Sequence, residues 1–595
     1  MVAAPVPSDR ARSHARDPGR RAGRIDPLDV ETRVVALARA GAPLRRSLAA
    51  IAARLVATRA WERLGFARLS DYARERAGLS ARQVYDLAHV DAALAKLPRI
   101  EAAFASGTLT WTKARLLCRV ATPEDESPWI EAARRLTARA LAREVRAVDA
   151  RALEAGGAET DEDGGIDERR ETLVLRLDGE ARSRWSRARL FARFNTGESL
   201  EPWAVAEAVA AEVLSAIPLD DVAARSLEES AHGCTGVETP GAHPVLRSAH
   251  GCTPDGVDSS SGAWGRACAQ APFLRSLVEG LGEADAFELD ARLRRAVRLE
   301  QRLCAEMGPL LLALARTRGY RAYGCPSLGV FAREWLGISP RKAQALLRLE
   351  RACLLSSPLR EAWRAGRLSW RQAHVLVPLL VLESSTPWHA AWVARAQGVT
   401  VRRLEDDADR AIVSGVLDPD AQDGAPGDDP HTGARPMPAV GHPTPYYLYG
   451  CPRDAARLFR AVLATVQRRI ERRAGRPGSE SEALCAMIDH ALESWGAHRK
   501  IPPEHRVFAR DGWRCTAPGC TSYRNLHDHH IRFRSAGGSD DLSNRTTLCA
   551  WHHLRGVHAG VVRCTGRAPH GLRFELGVRR GKPPLAVYRS GDVAG

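Results

Sequence analysis

The chain contains an internal duplication. Residues 55–129 align with residues 314–388 at a constant offset of 259 without a gap, and 22 of these 75 positions are identical. The identical residues include types that rarely recur in register by chance, such as the tryptophans Trp111 and Trp370. Two copies of one structural unit are therefore predicted, and the rest of the chain must be arranged around them.

Both copies are predicted to be helical. In the first copy, apolar residues recur at helical spacing from Val84 to Leu94. Glycine followed two residues later by serine, a possible helix end and N-cap, occurs at Gly78 and again at Gly337. This repeated helix, Gly-x-Ser turn and helix has two interpretations. It could be a helix-turn-helix reader of DNA or part of a plain helical bundle, and we favour the bundle.

A short strand followed by an arginine-rich helix is predicted after each copy. The strands and their helices are Glu171–Leu177 with Ala181–Phe194, and Pro445–Tyr449 with Arg453–Arg473. The alternation of apolar residues in the strands and the helical spacing in the segments that follow support this assignment. The chain is thus expected to contain a second repeated unit, more divergent than the first.

Segments rich in Gly, Ser, Pro or charged residues separate the predicted units. The predicted boundaries are 1–25 for a disordered basic tail, 26–150 for helical copy 1, 170–218 for its strand-helix unit, 219–280 for a linker, 281–412 for helical copy 2, 413–444 for a second linker, 445–497 for the second strand-helix unit and 498–580 for a C-terminal domain. His-Gly-Cys-Thr occurs twice in the first linker, at 232–235 and 250–253. We interpret it as low-complexity sequence rather than a metal site.

The excess of positive charge is concentrated near the carboxyl end. The whole chain has 87 basic and 71 acidic residues, and 17 basic against 7 acidic residues lie within 499–595. Such an excess favours a phosphate-bearing partner. No apolar run approaches the roughly 18 residues of a membrane span, so no membrane association is expected. With no secretory signal visible, we expect a cytoplasmic protein whose 13 cysteines are reduced, some of them binding metal.

Four metal-binding residues stand at the spacing of a structural zinc site. Cys515 and Cys520 form one pair, and Cys549 and His552 form a second about thirty residues later. Three thiolates and one imidazole in two short pairs are typical of tetrahedral zinc. On a helix His553 would also share a face with Cys549, so the reverse use of the two histidines remains open.

The segment between these pairs resembles a known nuclease motif. LHDHHIRFRSAGGSDDLSNRTTLCAWHH, residues 526–553, is similar to the ββα-metal finger of HNH endonucleases in its His-His-Ile, its Gly-Gly loop, its asparagine and its closing histidine. The Trp-x-x-Ala motif of each helical copy, at Trp111 and Trp370, resembles the region that precedes the finger in repeat-bearing bacterial HNH endonuclease-like proteins. The expected fold is mainly α with a small α+β C-terminal domain, a duplicated helical region followed by a zinc-stapled ββα-metal finger.

The resemblance implies a role for each residue of the motif. His530 corresponds to the general base and His529 to a ligand of a catalytic divalent metal. Asn544 would bind that metal or brace the loop, and His553 would bind metal or phosphate. Neighbouring residues of a strand point to opposite faces, so His529 and His530 must do different jobs.

The motif departs from the commonest family pattern at one position. Many members have Asp-His where this chain has His529 and His530. Imidazole favours Zn²⁺, Ni²⁺ or Mn²⁺ over Mg²⁺, so the identity of the catalytic metal stays open among these four. Asp528 could act from outside the ligand shell. The extra histidines, His527 and His558, are interpreted as surface or phosphate-contacting residues, the alternative being that they are metal ligands.

Arginines surround the motif. Arg532, Arg534, Arg545 and Arg555 are predicted to bind DNA phosphates, the alternative being an ordinary solvated face. After the motif, residues 561–564 and 572–576 are predicted to form a β-hairpin.

These observations lead to one functional hypothesis and two alternatives. The first is a metal-dependent HNH endonuclease that hydrolyses DNA to a 3′-hydroxyl and a 5′-phosphate, as the resemblance implies, with structural Zn²⁺, one catalytic divalent metal and no small-molecule cofactor. The second is a non-catalytic, zinc-stapled DNA-binding protein. The third is a mobile-element or defence protein whose duplicated helices bind a protein partner. A homodimer is possible in each case.

Overall fold

A computed structural model describes residues 27–156, 170–177, 179–196, 200–225, 272–423, 444–496, 503–589 and 593–594. Most of these residues are helical, and small sheets occur mainly near the carboxyl end, as predicted. No helix in the described ranges is long and apolar enough to cross a membrane. The predicted basic tail and the repeated His-Gly-Cys-Thr segments lie outside the described residues.

The first helical copy begins with a long helix and continues through seven shorter ones. Its helices are α1 (Pro27–Thr58), α2 (Ala60–Arg63), α3 (Leu69–Tyr72, continued by a π-helical turn over Ala73–Ala77), α4 (Ala81–Leu94), α5 (Pro98–Ala105), α6 (Trp111–Leu117), α7 (Glu126–Arg135) and α8 (Ala138–Gly156). Strand β1 (Arg170–Leu177) and helices α9 (Gly179–Thr196) and α10 (Pro202–Ala216) follow.

The second copy repeats this order from its own long helix onward, with one short helix before it. Its helices are α11 (Pro272–Val278), α12 (Ala286–Thr317), α13 (Leu328–Trp335), α14 (Pro340–Leu355), α15 (Ser357–Arg364), α16 (Trp370–Leu380), α17 (His389–Gly398) and α18 (Val401–Ser414), with 3₁₀ turns over Gly319–Tyr323, Glu383–Trp388 and Asp420–Asp423. Strand β2 (Thr444–Pro452) and helices α19 (Arg453–Ala474) and α20 (Glu480–Ser494) follow.

The duplication predicted from the sequence is confirmed by the element boundaries. Helices α1 and α12 begin and end at the same offset of 259 that relates the two sequence segments. Each is followed by an arginine with a left-handed backbone, Arg59 at φ 48° and Arg318 at φ 58°. Left-handed residues stop a helix because the chain can no longer continue the hydrogen-bond pattern. Both copies therefore end their long helix by the same device.

The two copies pack against each other reciprocally. Gly78 of copy 1 faces Ser369 of copy 2, where an added Cβ would lie 3.1 Å from the serine Cβ. Gly337 of copy 2 faces Thr110 of copy 1, where an added Cβ would lie 2.6 Å from the threonine Cβ. These are equivalent pairs with the copies exchanged, the pattern of a two-fold interface. The glycines of the Gly-x-Ser turns thus pack between the copies, whereas the alternative that this motif reads DNA stays a hypothesis.

A repeated Ala-Arg-Glu sequence, at 73–75 and 332–334, extends this reciprocity. Glu75 of copy 1 accepts hydrogen bonds from the backbone N–H groups of Val401 (2.6 Å) and Arg402 (3.0 Å), at the start of α18 in copy 2. Glu334 of copy 2 accepts one from Ala138 (2.5 Å), at the start of α8 in copy 1. A carboxylate at a helix N-terminus satisfies free donors and the helix dipole together. Each copy thereby caps a helix of the other.

A partly buried ion triad also joins the copies. Glu300 on α12 lies 3.1 Å from both Arg45 Nη2 on α1 and Lys342 Nζ on α14. Burial opposes ionisation, but the two cations outweigh it and lower the pKa of Glu300 to about 2. The carboxylate is therefore charged at neutral pH and contributes to the interface.

The two strand-helix units form one body. β1 pairs antiparallel with β2, with Leu173 opposite Leu448 and Leu175 opposite Tyr446. Their inward side chains share a core with α9, α10, α19 and α20. This arrangement differs from the separate units expected over residues 170–218 and 445–497. Each is a single strand with two helices, which exposes too much apolar surface alone, and pairing the strands covers it.

The C-terminal region contains two small sheets. A 3₁₀ turn (Pro503–His505) and a short helix, α21 (Arg506–Arg510), precede an antiparallel pair, β3 (Leu526–His530) and β4 (Arg545–Cys549), and a π-helix, α22 (Trp551–Val557). Single 3₁₀ turns, Arg534–Ala536 and Leu542–Asn544, lie between β3 and β4. The predicted hairpin is confirmed as β5 (Val562–Arg567) and β6 (Gly571–Leu576), continued by β7 (Ala586–Arg589) and β8 (Val593–Ala594). This sheet extends beyond residue 580, the boundary drawn from the sequence.

Candidate metal centre

Three cysteines and one histidine predicted to bind zinc meet in one buried cluster. Cys515 and Cys520 come from the loop before β3, Cys549 ends β4, and His552 lies in α22. Their ligand atoms lie within 4.8 Å of one another, and all four side chains are buried. The sulfurs of Cys515 and Cys549 lie 3.5 and 3.3 Å from His552 Nδ1. Tetrahedral zinc with ordinary bond lengths would place sulfur and nitrogen about 3.5 Å apart, so the cluster fits this ion.

The pKa of the Cys520 thiol and the tautomer of His552 both favour binding of a cation in the cluster. Hydrogen bonds from the Cys515 and Cys549 thiols lower the pKa of the Cys520 thiol, whereas burial raises that of Cys515. The other ring nitrogen of His552, Nε2, lies 3.2 Å from the carbonyl oxygen of Gly65 in copy 1. Such a carbonyl fixes the histidine tautomer and leaves Nδ1 free for a metal. The structure therefore favours His552 over His553 as the fourth ligand.

The loop between the first two cysteines, residues 515–520, is here called the knuckle. Arg402 of α18 is buried and donates from Nη1 to the carbonyl oxygens of Cys515 (3.0 Å), Ala517 (3.2 Å) and Cys520 (2.5 Å). From copy 1, Arg74 donates to the Gly519 carbonyl oxygen at 2.6 Å. Both copies therefore hold the backbone that carries the ligands. No local sequence signal marks this docking, because its partners lie more than a hundred residues away.

Three further histidines converge beside the cluster. The ligand nitrogens of His529, His553 and His558 lie within 4.8 Å of one another. His529 Nε2 is buried and has no hydrogen-bond partner among the described residues. Burial, and then the neighbouring His553 and His558, lower the pKa of His529 to about 4. A neutral imidazole with an unused, buried nitrogen is a suitable metal ligand.

His558 was interpreted as a surface or phosphate-contacting residue. It is exposed, but its ring also reaches the histidine cluster, with Nε2 3.2 Å from Nε2 of His553. In an α-helix these residues would be rotated by about 140°. Here His558 N donates to His553 O, the five-residue bond of a π-helix, and this wider turn brings the two side chains together. The sequence around these residues contains no pattern that predicts a π-helical turn.

His527 contacts the opposite side of the same cluster. Its Nδ1 lies 2.9 Å from Nδ1 of His553. Hydrogen bonding at one ring nitrogen orients the other, so His527 can position His553 Nε2 toward His529 and His558. Three imidazoles fit Zn²⁺, Ni²⁺, Co²⁺ or Mn²⁺ better than Mg²⁺, which prefers oxygen ligands.

The predicted base lies on the other face of β3. His529 is buried while His530 is partly exposed, as the alternation of a strand requires. His530 Nε2 lies 2.7 Å from Asp540 Oδ1. Hydrogen bonds from His530 and Arg534 lower the pKa of Asp540, which is therefore an anion at neutral pH. This histidine–carboxylate pair was not predicted, since Asp540 lies ten residues away in a loop.

Asn544 braces the loop between β3 and β4. Its Oδ1 accepts from Arg532 N at 2.9 Å, and its Nδ2 donates to the carbonyl oxygens of Arg532 (3.1 Å) and Ser539 (2.7 Å). Gly538 lies against the same loop, where an added Cβ would collide with the carbonyl oxygen of Arg532. Of the two roles open from the sequence, metal ligand or brace, the structure supports the brace.

The four predicted phosphate-binding arginines differ in their environment. Arg532, Arg534 and Arg555 are exposed around the histidines. Arg545 is partly buried and forms an ion pair with Asp528 on the adjacent strand, so its charge is already partly neutralised. Arg534 also pairs with Asp540, so Arg532 and Arg555 are the two of the four that are open to an anion.

Comparisons with known proteins find no match, neither to a family model, nor to a curated protein, nor to a solved structure.

Proposed function

We propose that the protein is a divalent-metal-dependent endonuclease that hydrolyses DNA phosphodiester bonds. The observation that supports this best is the arrangement on β3. His529 contributes to a three-imidazole cluster on the buried face, and the adjacent His530 pairs with Asp540 on the other face. A hydrolase needs these two functions, a cation site and a general base, close together.

His530 would act as the general base. Its Nε2 is directed to Asp540, which holds the imidazole in one orientation and leaves Nδ1 to take a proton from the attacking water. The carboxylate also stabilises the imidazolium that forms, as in other histidine–carboxylate pairs. Arg534 binds the same carboxylate at 2.5 Å, so the loop carries a balanced charge when His530 is neutral.

His529, His553 and His558 would hold the divalent metal. When bound, the ion supplies Lewis-acid stabilisation of the negative charge on the phosphate and the leaving oxygen. Arg532 and Arg555 are exposed near this site and would bind neighbouring phosphates, which supports DNA as the substrate but gives no sequence preference. The 3′-hydroxyl and 5′-phosphate products implied by the resemblance belong to this proposal.

The test is nicking of supercoiled plasmid by purified protein with Mn²⁺, Ni²⁺, Zn²⁺, Co²⁺ or Mg²⁺. We expect His530→Ala to slow nicking by about 100-fold or more, the usual contribution of a general base. His570→Ala, at an exposed histidine between β5 and β6, is the matched control and should nick normally. Nicking by His530→Ala at the wild-type rate would exclude the assigned base.

The non-catalytic alternative predicts a different metal content. A zinc-stapled DNA-binding protein needs only the cysteine cluster, and hence one metal ion per chain. The histidine cluster and its buried, unpartnered Nε2 favour a second ion. Metal analysis that found a single ion under every loading condition, together with DNA binding but no cleavage, would favour the alternative.

A further inference from the structure

Helices α8 and α18 are equivalent elements of the two copies, although they lie beyond the segment aligned in the sequence. Each is preceded by a threonine whose hydroxyl accepts from the backbone N–H three residues later, Thr137 in copy 1 and Thr400 in copy 2. Each start is also capped by a glutamate of the other copy. The inward residues correspond as well, Leu141 in α8 with Leu404 in α18, and both are fully buried.

One face of α18 is covered by other parts of the chain. Its contacts are made by residues 402, 406 and 409, which lie on one side of the helix. Arg402 binds the knuckle, Asp406 pairs with Arg514 and Arg193, and Asp409 pairs with Arg189 and accepts from Tyr446. In copy 2 this face is therefore a docking surface, and two of its three residues are acidic because their partners are arginines.

The equivalent face of α8 carries arginines instead. Residues 139, 143 and 146 correspond to 402, 406 and 409, and all three are exposed arginines. Among the described residues, none of these three forms an ion pair. The face that is acidic and covered in copy 2 is thus basic and uncovered in copy 1. We call Arg139, Arg143 and Arg146 the α8 arginine face.

We propose that the α8 arginine face binds the phosphate backbone of DNA. This inference rests on the proposed nuclease function. The three arginines span about 10 Å along the helix, and duplex DNA carries one charge per about 1.7 Å of axis, so several phosphates lie within their reach. Guanidinium groups match phosphate oxygens with paired hydrogen bonds.

A protein partner fits this face less well. Among the described residues, α8 carries none of the large exposed apolar side chains. Stable protein interfaces rely on buried aromatic or apolar anchors, whereas backbone contacts to DNA need only regularly placed charge. The α8 arginine face would therefore hold the duplex away from the metal centre and contribute affinity rather than chemistry.

The test compares two triple variants in the His530→Ala background, so that no strand is cut during binding. One is Arg139→Gln/Arg143→Gln/Arg146→Gln. The control is Arg316→Gln/Arg321→Gln/Arg473→Gln, which removes the same charge from three exposed arginines in other parts of the chain. Affinity for a fluorescent 30-base-pair duplex is measured by anisotropy over a range of salt concentrations.

We expect the α8 variant to lose at least tenfold in affinity. The slope of log K against log salt should decrease by about 1 for each phosphate that an arginine no longer binds, hence by about 3. The control should keep the wild-type slope. Equal slopes for the two variants, or no binding of DNA by the parent protein, would overturn the proposal. The proposal would also be overturned if the α8 variant lost affinity for polyglutamate but kept its affinity for the duplex.

These outcomes separate the inference from the nuclease proposal. If intact protein fails to nick any DNA but binds the duplex through α8, the α8 assignment stands and the catalytic assignment fails. If it nicks DNA and both triple variants bind alike, the catalytic assignment stands and the α8 assignment fails.

Discussion

Replacing Arg402 tests whether the helical copies hold the knuckle, which carries two of the candidate metal ligands, Cys515 and Cys520. In the Arg402→Met variant the side chain keeps most of its length but loses every donor. The carbonyl oxygens of Cys515, Ala517 and Cys520 would then lack the bonds that Nη1 provides. Methionine can still fill part of the space, so the change removes hydrogen bonding more than packing.

The expected loss follows from the geometry. A single Nη1 atom carries two hydrogens, so it can make two strong bonds at a time, although three oxygens lie within reach. An unsatisfied buried acceptor costs about 1–3 kcal/mol. The variant no longer has to bury a charged guanidinium, and this gain offsets part of the cost of the unsatisfied carbonyl oxygens. We expect the free energy of opening the knuckle to fall by about 3 kcal/mol, which corresponds to roughly 100-fold.

Hydrogen exchange of the backbone amides in residues 515–522 measures this opening directly. Cys515 N and Thr516 N donate to Ser522 O and Thr547 O at 2.9 Å, so both amides should be protected in the wild type. The matched control is Arg139→Met, the equivalent and exposed position in copy 1, where we expect a change within about 0.5 kcal/mol. Equal exchange rates in the two variants would refute the reasoning.

Three further predictions concern the metal site, the copy interface and the loop. Cys520→Ser should lower bound zinc by one ion per chain in metal analysis, whereas Cys564→Ser, at another buried thiol, should not. Glu300→Gln should cost about 3 kcal/mol in urea unfolding at pH 7, because the folded pKa of about 2 lies well below the ordinary 4.5. A lowered pKa contributes stability above pH 4.5 that is lost as the pH falls toward 2. The free energies of unfolding of wild type and variant should therefore converge near pH 2, and a difference between them that did not change with pH would contradict this. Gly538→Ala should lower the melting temperature more than Gly537→Ala. The Cβ at position 538 would collide with a backbone oxygen, whereas at position 537 the nearest atom is a movable guanidinium nitrogen at 3.4 Å and the cost is mainly the strain of a left-handed φ of 77°; equal melting temperatures would argue against a close-packed loop.

Short-range patterns accounted for much of the local structure. The strand-helix order, the N-cap at Ser80, two residues after Gly78, and the clustering of three cysteines with His552 were all predicted, and the structure confirms their positions. Each depends on residues only a few places apart, whose backbone preferences and spacing act locally. The opposite faces of His529 and His530 follow from the two-residue period of a strand in the same way.

Residue order alone was enough to establish two related helical units and a cysteine–histidine cluster, because repetition and ligand spacing can be read along the chain. The three-dimensional packing was needed to establish that the copies cap each other's helices, that β1 pairs with β2 and that Arg402 holds the knuckle. It also brought His558 to His529 through a π-helical turn. These contacts join surfaces far apart in the chain, and their choice depends on which packing buries the most apolar area while satisfying most of the buried polar groups.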